Sequence, residues 1–195
     1  MFFCFQTPID LAHAYWKLLL KPGDHVIDAT CGNGKDTLHL ALLCLGDGKG
    51  SIHAIDIQKK ALDISKQRLQ EFLTPSQFAE IKWYLGSHET FPDSIEQSSI
   101  KLIVYNLGYL PGGDKSLTTK KESTLKSLNA ACNLLSPGGA LSIMCYPGHP
   151  QGQEEELDIL EWAKALSPKS WNCCYHTILN RQTGPRLLLI QKTLS

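Results

Sequence analysis

The sequence has no excess of either charge. Nineteen Lys and Arg stand against nineteen Asp and Glu, so the overall field gives no support to nucleic-acid binding and leaves a local basic patch open. No apolar run approaches the ~20 residues of a membrane span, which argues against a transmembrane helix. The first residues, Met1-Phe-Phe-Cys-Phe, are apolar but have no basic leader, and Asp10 and His13 interrupt the apolar character soon after. A signal peptide is therefore not expected. The seven cysteines (4, 31, 44, 132, 145, 173 and 174) are odd in number and include no C-x-x-C pair. Reduced thiols in a cytoplasmic protein are expected, with neither a disulfide framework nor a metal site. Internal repeats, low-complexity tracts and linkers are also missing.

What remains is ordinary globular material. At 195 residues, 43% of them hydrophobic and 19% charged, the chain is long enough to bury one substantial core as a single domain. Thr7-Pro8 is a cap followed by a first-turn proline, and Ile9, Ala12, Trp16 and Leu19 recur at helical spacing, so residues 8–20 read as an amphipathic helix. Strands are expected at 25–29, 51–56, 81–85, from 100 to about 106, 140–145, 171–179 and 186–192. Helices are expected at 36–45, 58–72, about 118–135 and 153–166, the third of these closed by a turn at Ser136-Pro-Gly-Gly139. Residues 74–80 read as a loop or a short helix.

Strands alternating with helices imply a parallel α/β sheet with right-handed crossovers, and the last two strands, joined by a short connection, must pair antiparallel. Five β/α units followed by an antiparallel hairpin resemble the class I S-adenosylmethionine-dependent methyltransferase fold. That is a Rossmann-like, mostly parallel seven-stranded sheet with helices on both faces, here spanning 25–192 behind an N-terminal helix at 7–20.

In such a sheet, ligands sit beyond the carboxyl ends of the strands. Those ends read Asp28-Ala-Thr-Cys-Gly-Asn-Gly34, Asp56-Ile-Gln58, Ser87-His88 and Asn106. Gly32 and Gly34 let backbone approach a ligand closely. The third glycine of a dinucleotide fingerprint is replaced by Thr37, and no Lys or Arg sits where a phosphate-gripping loop needs one, which argues against a pyrophosphate cofactor. Asp56 is placed to accept both hydroxyls of a ribose, and Ser87-His88 to flank an adenine. Asp28 and Asp36 suit either orientation of the loop or an amino-acid ammonium.

The stretch 100–115 carries the substrate expectation. An Ile/Leu/Val-rich strand ends in Asn106-Leu-Gly-Tyr-Leu-Pro-Gly-Gly-Asp-Lys115. Amino-group methyltransferases of this fold commonly carry Asn/Asp-Pro-Pro-aromatic at that point, and Asn106 and Tyr109 keep the spacing with Leu-Gly between them. An amide carbonyl accepts the N–H groups of an amine while its lone pair faces the methyl, and an aromatic ring stacks on a planar base. His149, after the fifth strand, reads as a proton acceptor or a phosphate contact. The lysines at 115, 120, 121 and 126 read as a basic edge for RNA or as a solvated helix face.

Taken in order, Asp28–Thr37, Ala54–Gln58, Gly86–Glu89, Asn106–Lys115 and Tyr146-Pro-Gly-His-Pro150 resemble the bacterial family formerly labelled putative rRNA methylase. That family is now associated with methylating 5-aminomethyl-2-thiouridine at the tRNA wobble position. The likeness runs from about residue 7 to residue 192. It implies S-adenosylmethionine contacts from Asp28, Gly32, Asn33, Gly34, Asp36, Thr37, Asp56, Gln58, Ser87, His88 and Asn106. Substrate contacts are implied for Tyr109, Gly112, Asp114, Lys115, Tyr146 and His149, with Asn106, Tyr109 and His149 in the chemistry and a tRNA anticodon stem-loop as partner. Two positions depart from the family pattern: Asn180-Arg-Gln-Thr-Gly-Pro185 lacks an Asn-rich Pro-Pro segment, and Gly86 replaces a frequent Asp. Other classes compatible with the residues are a methyltransferase acting on rRNA or another amine, and a non-catalytic RNA-binding homologue.

Overall fold

A computed structural model describes residues 7–46, 49–108 and 119–194. The expected Tyr109, Gly112, Asp114 and Lys115 lie outside the described residues.

The chain opens on helix α1 (Pro8–Leu19), where Thr7 accepts from the Asp10 N–H as N-cap and Pro8 occupies the first turn. Strands β1 (His25–Asp28), β2 (Ser51–Asp56) and β3 (Ile81–Leu85) alternate with helices α2 (Lys35–Cys44) and α3 (Lys59–Phe72). A short helix, α4 (Pro75–Ala79), precedes β3. Strands β4 (Ile100–Asn106) and β5 (Leu135–Cys145) are separated by α5 (Lys121–Leu134). Helix α6 (Pro150–Lys164) leads to the hairpin of β6 (Trp171–His176) and β7 (Arg186–Lys192). The seven strands lie in the order β3-β2-β1-β4-β5-β7-β6, with β7 antiparallel to both its neighbours. The expected methyltransferase-type sheet is therefore present. The order of strands reverses between β1 and β4, and that switch point is where a crevice opens.

Alternation along the strands divides the core. Val26, Leu102 and Val104 face α1, α2 and α3, with Ala12, Trp16, Leu40, Ala41, Leu62 and Leu69 packed over them. Ile27, Ile103 and Tyr105 face the other way, under Leu128 and Ala131 of α5 and Ile159 and Ala163 of α6. Helix α1 is tied to the sheet by a buried hydrogen bond, Trp16 Nε1–H to Ser142 Oγ, 2.9 Å.

Of the two alternatives for residues 74–80, a loop or a short helix, the structure holds the helix α4, started by a reciprocal capping box between Thr74 and Gln77. Three local expectations change. The turn expected at 136–139 lies inside β5: Leu135 already pairs with Ile100, the next pair is Leu102 with Ala140, and the extra residues form a bulge. Gly138 has φ 68°, and a Cβ on Gly139 would lie 3.0 Å from the Ile100 carbonyl oxygen, so two glycines serve a bulge there instead of a helix stop. Helix α6 starts at Pro150, three residues early, because His149 caps it. Strand β6 stops at His176, short of the expected residue 179.

Candidate active site

The carboxyl ends of β1, β2, β3, β4 and β5 surround one cleft of roughly 1180 Å³. Of the residues named from sequence, Gly32, Asn33, Asp36, Asp56, Gln58, Ser87, His88, Asn106, Tyr146 and His149 line it. Asp28, Gly34 and Thr37 do not. Asp28 and Thr37 are buried beneath the β1–α2 loop, where the Thr37 hydroxyl donates to Asp28 Oδ2 at 2.6 Å and the Thr30 N–H donates to Oδ1 at 3.3 Å. Burial pushes the Asp28 carboxyl up to about 7; the charge of Asp36 adds to this, and the Thr37 and Thr30 hydrogen bonds oppose it. Gly34, at φ 74°, has no room for a side chain, because a Cβ there would lie 2.7–2.9 Å from Ser65 of α3. The loop thus needs that glycine to pack on α3.

Asp56 ends β2 as expected for a ribose-binding acid. Its two oxygens accept from the Gly32 and Gln58 N–H groups, both at 2.8 Å, which fixes the carboxylate while leaving lone pairs toward the cleft. Burial raises its pKa and those two N–H groups counter the rise. The loop above it is held from behind by Ser65 Oγ–H to the Gly32 carbonyl, 2.7 Å, and by Arg68 Nε–H to the Asn33 carbonyl, 2.8 Å. Asn33 Oδ1 is buried with no partner among the described residues.

His88 lies at the base of the cleft, its edge against the Tyr105 ring. The Thr124 hydroxyl donates to Glu155 Oε1 (2.7 Å), so it accepts from His88 Nε2–H (3.3 Å), and the ring is the Nε2–H tautomer. Burial lowers the His88 pKa to about 4, so the ring is neutral and Nδ1 is an acceptor. Glu155 also accepts from the Thr119 hydroxyl at 2.7 Å, and Thr119 Oγ1 accepts from the Gly108 N–H at 2.9 Å. One buried carboxylate on α6 therefore ties the β3 end to the backbone just beyond β4. Burial raises the Glu155 pKa against the two threonine hydrogen bonds.

Asn106 is the last residue of β4. Its N–H donates to Thr30 Oγ1 at 2.7 Å and its side-chain Nδ2 donates to Asp36 Oδ2 at 3.0 Å. Burial raises the Tyr146 hydroxyl to about 12; the charge of Asp36 works the same way, and a hydrogen bond with the Asn106 side chain works against it. His149 lines the cleft, with Nδ1 accepting from the Gly152 N–H at 3.1 Å as the cap of α6. That nitrogen is occupied by a structural hydrogen bond.

Residues not singled out from sequence also belong here. Thr30, Thr119 and Thr183 line the cleft, and His13 reaches Asp36 from α1. A charged residue at Glu155 and a histidine at His13, each on a helix face that is otherwise packed, were the signals available. Thr183 comes from the 180–185 segment, which does reach the cleft despite its departure from the family pattern.

These residues fit S-adenosylmethionine. Asp56 at the end of β2 is an acceptor a ribose would suit, His88 beyond β3 is a neutral acceptor, Asp36 is an acid that would suit a cationic amino acid, and Asn33 Oδ1 is a buried acceptor with no partner among the described residues. Among the described residues no His, Cys, Asp or Glu group is arranged to hold a metal ion, and no helix is long and apolar enough to cross a membrane.

Comparison with known proteins agrees. The sequence model of the family described as "Putative rRNA methylase" matches residues 52–192. The chain is 37% identical over 188 residues, covering 94% of this chain and 68% of the relative, to an Arabidopsis thaliana protein named tRNA (mnm(5)s(2)U34)-methyltransferase, chloroplastic. A crystal structure titled "putative rRNA-methylase", from Clostridium thermocellum, superposes with a TM-score of 0.90 at 32% identity, covering 97% of this chain and 100% of that one. A "putative methyltransferase" from Streptococcus mutans, solved in complex with SAH, gives 0.83 at 29% identity, covering 96% and 98%.

Fold and cleft define an S-adenosylmethionine-dependent methyltransferase of the class I type. Within that class, the chain belongs to the rRNA methylase family whose model it matches.

Proposed function

We propose that this enzyme methylates the exocyclic amine of 5-aminomethyl-(2-thio)uridine at the tRNA wobble position, giving the methylaminomethyl product, and that it works in the cytoplasm on an anticodon stem-loop. The observation that carries this reading is the Asn106 side chain, held at the rim of the cofactor cleft with its Nδ2 donating to Asp36. With Nδ2 so engaged, Oδ1 is the end left to accept N–H from an amine. The wobble assignment is supported by the name of the Arabidopsis relative.

When bound, S-adenosylmethionine supplies a methyl already activated by its sulfonium, so positioning is the main task of the protein. Asp56 would hold the ribose, and His88 Nδ1 the adenine edge. Asn106 would hold the amine so that its lone pair faces the methyl, and Tyr109 would stack on the splayed base, as single-stranded RNA recognition requires. His149 Nδ1 serves the α6 cap, so we assign the proton released from the methylated ammonium to solvent at the cleft mouth.

The test is transfer from methyl-labelled S-adenosylmethionine to tRNA isolated from cells lacking this methyl, followed by nucleoside mass spectrometry. Label is expected in the wobble nucleoside. Label confined to rRNA, or none in tRNA, overturns the assignment.

A further inference from the structure

We infer that His13, on helix α1, is a positioning residue that sets the orientation of the Asn106 amide through Asp36. The inference rests on the reading that Asn106 holds the acceptor amine. The two ends of an asparagine amide have nearly the same shape, so which end faces a substrate is decided by its partners. The Tyr146 hydroxyl also bonds this side chain, but it both donates and accepts and so pairs with either end; Asp36 is the deciding partner. An ionised carboxylate only accepts hydrogen bonds, so its Oδ2, 3.0 Å away, draws Nδ2 and leaves Oδ1 for substrate.

Asp36 sits in the first turn of α2, where a short acidic side chain has other partners available in the unpaired N–H groups of that turn. What holds its carboxylate toward Asn106 is the second oxygen: Oδ1 receives His13 Nε2–H at 2.8 Å. The His13 ring is itself fixed. It stacks on His39 with centroids 4.1 Å apart and planes 12° apart, and the Trp16 ring closes on it at 4.7 Å. Trp16 is in turn bonded to Ser142 of β5. A continuous set of contacts therefore runs from the sheet through α1 to the amide at the cleft. Helix α1 precedes the stretch 52–192 matched by the family model. In this molecule it also orients the site.

The experiment compares wild type with His13→Ala, His13→Gln, Asp36→Asn and the His13→Ala/Asp36→Asn double variant. His13→Ala is expected to lower kcat about tenfold, with KM for tRNA and SAH affinity within about twofold, because a misdirected amide misplaces the amine without removing binding surface. His13→Gln, which keeps a donor at the Nε2 position, should recover most of the rate. In the Asp36→Asn background the His13→Ala loss should vanish, since the two residues act in series. A kcat within twofold of wild type, a loss carried by KM, or full additivity in the double variant would overturn the inference. Side-chain amide NMR of Asn106 gives an arm that needs no substrate. Its Nδ2 protons should exchange with solvent about tenfold faster in His13→Ala than in wild type, and equal exchange also overturns the inference. If His13→Ala fails to fold, His13→Gln carries both readouts: near-wild-type values against a slow, fully folded His13→Asn support the inference, and equal loss in both overturns it. Wild type inactive on tRNA would sink the functional reading alone, with the amide exchange still deciding the role of His13.

Discussion

Replacing Gly34 with alanine perturbs the cofactor loop without touching the cleft. Gly34 caps α2 in the left-handed region at φ 74°, ψ 16°, which costs an alanine about 1–2 kcal/mol. The added Cβ would stand 2.7 Å from Ser65 Oγ and 2.9 Å from Ser65 Cα, so the backbone of α3 or the loop must move; overpacking of this kind costs about 1–3 kcal/mol. Moving Ser65 also breaks its 2.7 Å hydrogen bond to the Gly32 carbonyl, worth about 1 kcal/mol. The sum is about 3–6 kcal/mol, and at about 2–4 °C per kcal/mol for a chain of this size Tm should fall by about 6–24 °C. Because Gly32 N–H also holds Asp56 Oδ2, the same shift should weaken SAH binding at least tenfold. Calorimetric unfolding and titration with SAH measure the two effects. Ser65→Ala isolates the hydrogen bond and should lose only about 1 kcal/mol. Gly86→Ala is the control, since nothing lies within 4 Å of a Cβ there, and should stay within about 0.5 kcal/mol of wild type. A Gly34→Ala protein melting within about 2 °C of wild type, with unchanged SAH affinity, would refute the packing argument.

Two further outcomes concern buried acids. Arg186 Nη1 donates to Glu156 Oε2 at 2.8 Å, and Glu156 is only 2% exposed; Arg186→Met leaves that carboxylate with the Tyr175 hydroxyl as its remaining donor among the described residues. Urea denaturation should register a loss of about 3 kcal/mol, part of it restored by adding Glu156→Gln. Asp28 concerns pH. Its folded pKa of about 7 lies above the ordinary 3.8, so between these values the folded state binds more protons than the unfolded state. The Asp28 contribution to stability is therefore full below about pH 4 and declines as pH rises to about 7. Asp28→Asn should remove that decline, seen as a shallower fall of Tm from about pH 4 to 7 than in wild type; an identical slope would contradict it.

Much of the site was legible because it is local. A strand end followed by glycines, an acid closing the second strand, and Ser87-His88 after the third are read within a few residues, and the sheet assigns each to one rim. What is not local depends on residues distant in the chain. Sequence alone gives Gly34 the look of room for a ligand, yet the group a Cβ there would strike is Ser65, thirty-one residues later. The local sequence points Asp28 and Thr37 toward the cofactor; the fold pairs them with each other under the loop. The glycine pair at 138–139 has the local look of a helix stop; only its pairing with β4 makes it a bulge.

The amino-acid sequence by itself determined the alternation of strands and helices, the hairpin at the end, and the four strand ends that rim the cleft. Each of these is carried by side-chain period or turn chemistry acting over a few residues. Tertiary structure alone decided how polar side chains satisfy one another. Asn106 meets Asp36 across seventy residues, Asp36 meets His13 across twenty-three, and Glu155 gathers Thr119, Thr124 and, through Thr124, His88. The reason is physical. Apolar burial needs only the right face of an element, whereas a hydrogen bond needs two particular atoms within about 3 Å at the right angle, and no periodicity along the chain specifies that pairing.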